Sequence, residues 1–362
     1  MAVGRVLIMA AGPGGHVFPA LAIARQLEAR GVPIEWLGTP QGLENRLLED
    51  SGIPLHRIAA KGLKGKGIRQ LLSAPWMLLQ SLWQSIVIMR RVQPDAVLGM
   101  GGYVSGPGGL AAKLCGKRLY LHEQNAVAGL SNRLLARVAD EVLEAFPGAF
   151  PRGVRTQHVG NPVRAQIESL GAVQAMPIPD GRPLRLLVLG GSQGARALNE
   201  AVPAARAQLR DEAPEALPSS RHQTGPGQHA DTLEAYGALG LVPVQAPGET
   251  AEPMPRQQPG AEHAVCAFID DMADAYAWAD VVVCRSGAST VSELAAAGKP
   301  SILVPYPYHK DQQQLHNARW LEASGAAIIL PQETLTADSL AALLRDFSEQ
   351  RARVAVMAAA AR

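Results

Sequence analysis

The chain has 362 residues, 47% of them hydrophobic and 18% charged, a composition that is typical of globular proteins and excludes an intrinsically disordered chain. At about 150 residues per domain, this length predicts two domains. The three cysteines, Cys115, Cys266 and Cys284, show no CxxC spacing, which argues against a disulfide framework or a zinc site and predicts a reducing compartment. The net charge of +2 conceals a basic region at residues 51–118, whose only acid is Asp95, and this region indicates an anionic partner, either nucleic acid or lipid.

The chain alternates strand-like and helix-like segments, which is typical of parallel α/β domains. In the first half we predict strands at 5–9, 34–37, 96–98, 119–122 and 158–159, and helices at 19–29 and 71–91. The apolar residues that open the chain run into glycines, so we interpret them as a first strand and not as a signal peptide. This interpretation predicts a cytoplasmic protein. Residues 161–164 form a candidate interdomain hinge.

The first predicted strand runs into the glycine-rich turn Gly12-Pro13-Gly14-Gly15-His16. A strand that feeds such a turn presents backbone N–H groups at a helix N-terminus, where the helix dipole favours phosphate. The dinucleotide-binding signature GxGxxG is incomplete, because its third glycine is replaced by Val17. In the first helical turn the dipole favours a neutral imidazole, which can accept a proton, so His16 is a candidate base. The alternative is that His16 caps the turn through a hydrogen bond of its own.

The helical segment at 71–91 carries an apolar stripe, because Leu72, Trp76, Leu79 and Trp83 fall at spacings of four, three and four. Pro75 and several polar residues interrupt it, which argues against a membrane-spanning helix. The stripe either packs on the core or dips into a membrane surface. Near it lie the basic residues Lys64, Lys66, Arg69, Arg90 and Arg91.

Two further polar segments follow predicted strands of the first half. The glycine-rich run at 99–109 can bring its backbone close to a diphosphate. The segment His122-Glu123-Gln124-Asn125 lies where a strand ends, and α/β sheets bind ligands at the carboxyl ends of their strands.

In the second half we predict strands at 184–189, 264–268, 281–284, 301–304 and 326–329, a segment of little order at 171–182 and a surface loop at 241–263. A second glycine-rich turn, Gly190-Gly191-Ser192-Gln193-Gly194, follows the strand at 184–189. The strand at 281–284 leads into small residues and then Glu293. Its carboxylate either accepts hydrogen bonds from two ribose hydroxyls or only interacts favourably with the positive end of the helix dipole. The amides at 312–314 are candidates for binding sugar hydroxyls, whereas the adjacent Asp270 and Asp271 do not form a metal-binding Asp-x-Asp clamp.

Several motifs in this order resemble the MurG family, the membrane-associated N-acetylglucosaminyltransferases of glycosyltransferase family 28. The motifs are Gly14-Gly15-His16-Val17-Phe18-Pro19, Gly99-Met100-Gly101-Gly102-Tyr103-Val104-Ser105-Gly106-Pro107, His122-Glu123-Gln124-Asn125, Gly160-Asn161-Pro162-Val163-Arg164, Gly190-Gly191-Ser192-Gln193-Gly194-Ala195-Arg196, and Arg285-Ser286-Gly287-Ala288 through Glu293. The resemblance implies a GT-B fold, in which two Rossmann-like parallel-sheet domains face a cleft. It also implies inverting transfer of N-acetylglucosamine from UDP-GlcNAc to lipid I, without a cofactor or a nucleic-acid partner.

The resemblance also implies roles for individual residues. In the donor site, Ile269 meets the uracil, Glu293 the ribose and Gln314 the sugar. The remaining donor contacts are Pro13, Gly14, Gly15, Asn125, Arg164, Ser192, Ala288, Ser289, Thr290, Val291 and Ser292. The lipid I diphosphate lies against Gly14, Gly15, Gly101, Gly102, Ser105 and Gly106. We predict that His16 is the base for the acceptor hydroxyl, with Glu123 behind it.

By the same resemblance, residues 1–162 form an acceptor- and membrane-binding domain, and residues 163–340 form the donor domain. A helix at 341–362 returns toward the N-terminal domain and looks incomplete. The apolar stripe then becomes a lipid-facing patch that holds the protein on the cytoplasmic face of the inner membrane, and other cell-wall enzymes are possible partners. The chain departs from the family in having Pro13 where threonine is usual, which removes a hydroxyl and a backbone N–H.

Three other functions are compatible with parts of this pattern. A UDP-GlcNAc 2-epimerase shares the fold and the donor but has no dependence on an acceptor. A non-catalytic membrane subunit binds the sugar nucleotide without turning it over. A dehydrogenase fits least well, because the dinucleotide signature is broken at Val17.

Overall fold

The computed structural model describes residues 4–12, 14–60, 68–171, 178–179, 181–191, 194–245, 262–309 and 311–362, with only the backbone described at 68–74 and 244–245. The chain divides into two compact units, Met1–Val163 and Arg164–Arg362. Each unit is built on one parallel sheet whose strands are separated by helices.

The N-terminal unit contains a seven-stranded sheet in the order β3-β2-β1-β4-β5-β6-β7. Its strands are β1 Val6–Met9, β2 Ile34–Gly38, β3 Leu55–Arg57, β4 Ala96–Gly99, β5 Arg118–Glu123, β6 Glu141–Glu144 and β7 Gln157–His158. Its helices are α1 Gly14–Glu28, α2 Glu44–Leu48, α3 Ile68–Val92, α4 Ser105–Leu114 and α5 Leu130–Leu135. All of the strand pairs are parallel, as the alternation of elements predicts.

The central strand β1 is buried on both faces, which explains its uninterrupted apolar sequence. Leu7 and Met9 belong to a core that also includes Met89 of α3 and Ala111 of α4. Val6 and Ile8 belong to the opposite core, which is filled by α1 and by strand β2. Helices therefore cover both faces of the sheet and leave the ends of its strands for function.

The C-terminal unit repeats this architecture with the strand order β10-β11-β9-β8-β12-β13-β14. Its strands are β8 Arg185–Leu189, β9 Ser219–Gln223, β10 Val244–Gln245, β11 His263–Cys266, β12 Val281–Cys284, β13 Ser301–Leu303 and β14 Ala327–Ile329. Its helices are α6 Ala165–Gly171, α7 Arg196–Glu212, α8 His229–Ala238, α9 Met272–Trp278, α10 Ala288–Ala297, α11 Gln313–Ala323, α12 Ala337–Glu349 and α13 Arg351–Ala360. Helix α13 contributes Val354 and Met357 to the core of this unit.

Most of the predicted strands and helices are confirmed with small shifts of their ends, and the structure adds four strands where none was predicted, β3, β6, β9 and β10. The strand β9 is central and buried although its sequence is polar. A short strand, β10, lies within the predicted loop at 241–263, most of which falls outside the described residues. The predicted segment of little order at 171–182 also falls largely outside them.

In each sheet, the strands that come next along the chain are first added on one side of the first strand and later on its other side. The reversal lies between β1 and β4 in the first sheet and between β8 and β12 in the second. In open α/β sheets, ligands bind outside the carboxyl ends of the strands at such points. The glycine-rich segments that the sequence singles out follow β1, β4 and β8, and the small residues before Glu293 follow β12.

Candidate functional site

The two glycine-rich loops of the N-terminal unit pack against each other. A Cβ atom at Gly102 would overlap the carbonyl oxygen of Ala11, and the φ angle of Gly102 is +81°, so both space and backbone conformation require glycine here. The Ser105 hydroxyl donates a hydrogen bond to the Gly101 carbonyl (2.8 Å) and accepts one from the Gly101 N–H (3.1 Å). Ser105 is fully buried, so its side chain shapes the loop after β4.

The imidazole of His16 lies between this loop and strand β5. Its Nδ1 atom is 3.0 Å from Oε1 of Gln124, and a Cβ atom at Gly101 would lie only 2.6 Å from the same Nδ1. The ring is thus held on two sides at the first turn of α1. Among the described residues no hydrogen-bond partner of the second ring nitrogen, Nε2, is found.

Gln124, rather than Glu123, is the residue behind His16, and in this respect the structure differs from the prediction. Successive residues of an extended backbone point to opposite faces, so Glu123, the last residue of β5, and Gln124, which directly follows it, diverge. The buried Glu123 carboxylate accepts hydrogen bonds from the backbone N–H groups of Asn125 and Gly129 and from the side-chain amide of Asn132. It organises the turn that leads into α5. The predicted donor contact Asn125 also donates its side-chain amide to Glu123 (3.2 Å).

His122 is buried two residues before Gln124, on the same face of β5. Its Nε2 is 2.9 Å from the Gly160 carbonyl oxygen, and its Nδ1 is 3.1 Å from Nε2 of Gln124. Burial lowers the pKa of His122 below its ordinary value, against the opposing effects of the Gly160 hydrogen bond and of Glu123. The imidazole is therefore neutral at pH 7.

The C-terminal unit carries the second constellation, around Glu293 on α10. Oε1 of Glu293 accepts a hydrogen bond from the Arg164 guanidinium (2.9 Å), and Oε2 accepts one from the Tyr276 hydroxyl (3.1 Å). Tyr276 is fully buried, and burial, reinforced by the nearby Glu293 carboxylate, raises its pKa well above the ordinary value, so the phenol keeps its proton. The carboxylate is consequently held in one orientation at the carboxyl edge of the sheet.

The start of α10 presents backbone more than side chains. Val291 is fully buried and Ala288 nearly so, while the Ser292 hydroxyl donates back to the Ala288 carbonyl (3.0 Å). The Ser289 hydroxyl is buried without a hydrogen-bond partner among the described residues. Thr290 is half-buried in the same turn. A ligand at this helix start therefore meets N–H groups and the helix dipole.

The other predicted donor residues lie around the same edge. Oε1 of Gln314 accepts a hydrogen bond from the backbone N–H of Tyr306 (2.9 Å), which fixes the amide on the loop after β13. The half-buried Ile269 follows β11 and precedes a loop that helps to line a cavity of about 410 Å³. That cavity is lined by Arg164, Gln166, Ile167, Asp270, Asp271, Met272 and Ala273. Ser192 and Pro13 lie outside the described residues.

The apolar stripe on α3 is exposed. The side chains of Trp76, Leu79 and Trp83 are 73%, 61% and 66% accessible to solvent. The interpretation that this stripe packs on the core is therefore wrong for these three residues. The side chains of Leu72 and Arg69, together with Lys64 and Lys66, lie outside the described part of the chain.

Within the described residues, no helix has the length and apolar character needed to cross a membrane, and no group of three metal-ligating side chains is found. The structure places two further residues at the two constellations, Gln124 and Tyr276, for which the sequence pattern predicts no individual role. For Gln124 a signal was available, because strand periodicity puts it on the same face as His122. The sequence held no comparable signal for Tyr276, which precedes Glu293 by 17 positions on a different helix.

Comparison with known proteins gives a consistent result. Residues 6–144 match the glycosyltransferase family 28 N-terminal domain, and residues 185–362 match the C-terminal domain of the same family. The chain is 51% identical over 357 residues (99% of this chain and 93% of the relative) to the UDP-N-acetylglucosamine–N-acetylmuramyl-(pentapeptide) pyrophosphoryl-undecaprenol N-acetylglucosamine transferase of Azotobacter vinelandii.

Among solved structures, MurG of Acinetobacter baumannii is 40% identical with a TM-score of 0.76, and the match covers 99% of this chain and 94% of that one. A putative UDP-N-acetylglucosamine 2-epimerase from Listeria monocytogenes is 14% identical with a TM-score of 0.64, covering 99% and 91% of the two chains. The second likeness shows the fold alone.

Proposed function

This chain belongs to glycosyltransferase family 28, has the GT-B fold and is a hexosyltransferase, and from this we infer that it transfers N-acetylglucosamine from UDP-GlcNAc to the muramoyl 4-hydroxyl of lipid I. The products are lipid II and UDP, in the synthesis of peptidoglycan. The observation that carries this proposal is the 51% identity to a relative of that name over 99% of the chain. Similarity to the 2-epimerase is confined to the fold at 14% identity and supports no second function.

We place the donor nucleotide at the carboxyl edge of the second sheet. The paired hold of Arg164 and Tyr276 on Glu293 supports a role for this carboxylate in accepting the two ribose hydroxyls, because it is oriented before the ligand arrives. The N-terminus of α10 supplies N–H groups for the diphosphate. In this site a helix dipole and an arginine stabilise the leaving UDP.

We place the acceptor diphosphate at the two interlocked glycine loops of the N-terminal unit, beside His16. The hydroxyl oxygen attacks C1 of N-acetylglucosamine from the face opposite UDP, the C1–O bond breaks, and UDP leaves with the bonding electrons. Nε2 of His16 takes the hydroxyl proton. The configuration at C1 is inverted, because in a single displacement the new C1–O bond forms on the face opposite the bond that breaks.

The exposed stripe of α3 supports peripheral binding to an anionic membrane, on the cytoplasmic face where lipid I is presented. Trp76, Leu79 and Trp83 supply the apolar face, and the basic residues at the end of the helix, Arg90 and Arg91, supply attraction to headgroups. Other cell-wall synthesis enzymes are expected partners.

The test is UDP release from UDP-GlcNAc, measured with and without a lipid I analogue that carries a short prenyl chain. We expect release only with the analogue, matched by transfer of the sugar. His16→Gln should lose 10²–10⁴-fold in turnover, as is typical for a general base. The matched control, His158→Gln on the exposed edge strand β7, should keep wild-type turnover.

The assay also separates the other functions. Release of UDP without an acceptor would support an epimerase, which cleaves the donor alone. Tight UDP binding without release in either case would support a non-catalytic binding subunit.

A further inference from the structure

We propose that Gln124 is the positioning residue of the acceptor site, fixing through His122 and the Gly160 carbonyl the tautomer in which His16 leaves Nε2 free to take a proton. The inference rests on the proposed function only in giving His16 the role of base. The hydrogen-bonded chain itself lies entirely within the N-terminal unit and follows from geometry.

The Gly160 carbonyl, at one end of this series of hydrogen bonds, determines which group donates in each of them. A backbone carbonyl oxygen can only accept, so the 2.9 Å contact with Gly160 requires the proton of His122 to be on Nε2. The neutral ring then has only an acceptor at Nδ1. The group 3.1 Å away must be a donor, and this is the amide nitrogen of Gln124.

The amide of Gln124 transmits this constraint to His16. With its nitrogen facing His122, its oxygen faces Nδ1 of His16 at 3.0 Å. An amide oxygen can only accept, so Nδ1 of His16 carries the proton and Nε2 keeps its lone pair. A glutamine side chain does not ionise, so its nitrogen always donates and its oxygen always accepts. The tautomer of His16 therefore stays fixed unless the Gln124 amide rotates.

Rotation of the amide is opposed by its surroundings. Gln124 is fully buried, and its nitrogen also lies 3.1 Å from the His122 carbonyl oxygen. A rotated amide would place its oxygen against that carbonyl and against the lone pair of His122, leaving buried polar groups unpaired at about 1–3 kcal/mol each. The backbone carbonyl of Gln124 is held as well, by the side chain of Asn161 (3.0 Å).

The experiment is nitrogen NMR on full-length protein labelled with ¹⁵N-histidine, with the His16 signal assigned by its loss in His16→Gln. At a pH where the ring is neutral, we expect the wild-type signal to show the proton on Nδ1. In Gln124→Met, which keeps the length of the side chain and removes both polar atoms, we expect the proton to move to Nε2. Turnover should fall about ten- to hundredfold, less than the 10²–10⁴-fold of a complete base, with the KM for UDP-GlcNAc within twofold of wild type.

A wild-type His16 that carries its proton on Nε2 would overturn the proposal, and this measurement needs no variant to fold. A tautomer that is unchanged in folded Gln124→Met would overturn it as well. A tautomer that shifts while turnover stays at the wild-type level would confirm the hydrogen-bonded chain and refute His16 as the base. The two inferences therefore fail separately.

Discussion

The exposed tryptophans of α3 allow a quantitative prediction about membrane binding. A tryptophan side chain buries at most about 250 Å². The exposed fractions of 73% and 66% therefore leave about 170 Å² on each of Trp76 and Trp83 for a membrane to cover. If an interface removes half of that area from water, about 25 cal/mol per Å² gives about 2 kcal/mol for each side chain.

A difference of about 2 kcal/mol changes an equilibrium constant by about thirtyfold, so replacing both tryptophans with serine should weaken partitioning by about 10³-fold. Cosedimentation with vesicles of anionic phospholipid measures this directly. The midpoint of thermal unfolding should stay close to wild type, because exposed substitutions usually change stability by less than about 0.5 kcal/mol. Trp320→Ser on α11 is the matched control, since it makes the same chemical change in the other unit.

Two results would refute this reasoning. Double-variant protein that binds the vesicles within threefold of wild type would show that α3 is not the membrane surface. A large fall in the unfolding midpoint would show that the two side chains pack against protein, contrary to their exposure.

Three further predictions concern the interior and the two constellations. Burial lowers the pKa of His222 from 6.5 to about 3, so as the pH falls the unfolded chain takes up the proton before the folded protein does. Between pH 7 and pH 5 the free energy of unfolding, measured by urea denaturation, should therefore fall by about 2 kcal/mol. A His222→Gln variant should not show this loss. In Gly101→Ala the added methyl group would lie 2.6 Å from Nδ1 of His16, so the substitution should displace the ring and reduce turnover at least tenfold. In Gly129→Ala the added methyl group has no atom within 4 Å, and turnover should not fall. Tyr276→Phe removes one hydrogen bond to a carboxylate and should weaken UDP binding in calorimetry about tenfold; unchanged affinity would contradict the ribose role of Glu293.

The amino-acid sequence by itself determined the architecture. Strands such as β1 and β12 are apolar over their whole length because both of their faces are buried, and this signal is local. The glycine-rich turns after β1 and β8 are also local, since a positive φ angle and a close backbone approach require glycine at defined positions. Two parallel α/β units and the loops that carry their sites could therefore be predicted from sequence patterns.

Tertiary structure decided what depends on neighbours from distant parts of the chain. The polar strand β9 lies in the middle of its sheet because Asn199 and Tyr236, from two helices, hydrogen-bond its buried His222. The apolar stripe of α3 has the same periodicity whether it faces the core or the solvent, so only packing against α4 could show which face stays exposed. Likewise, His16 meets Gln124 only because β1 and β5 lie on either side of β4 in one sheet, which brings together groups that are 108 residues apart.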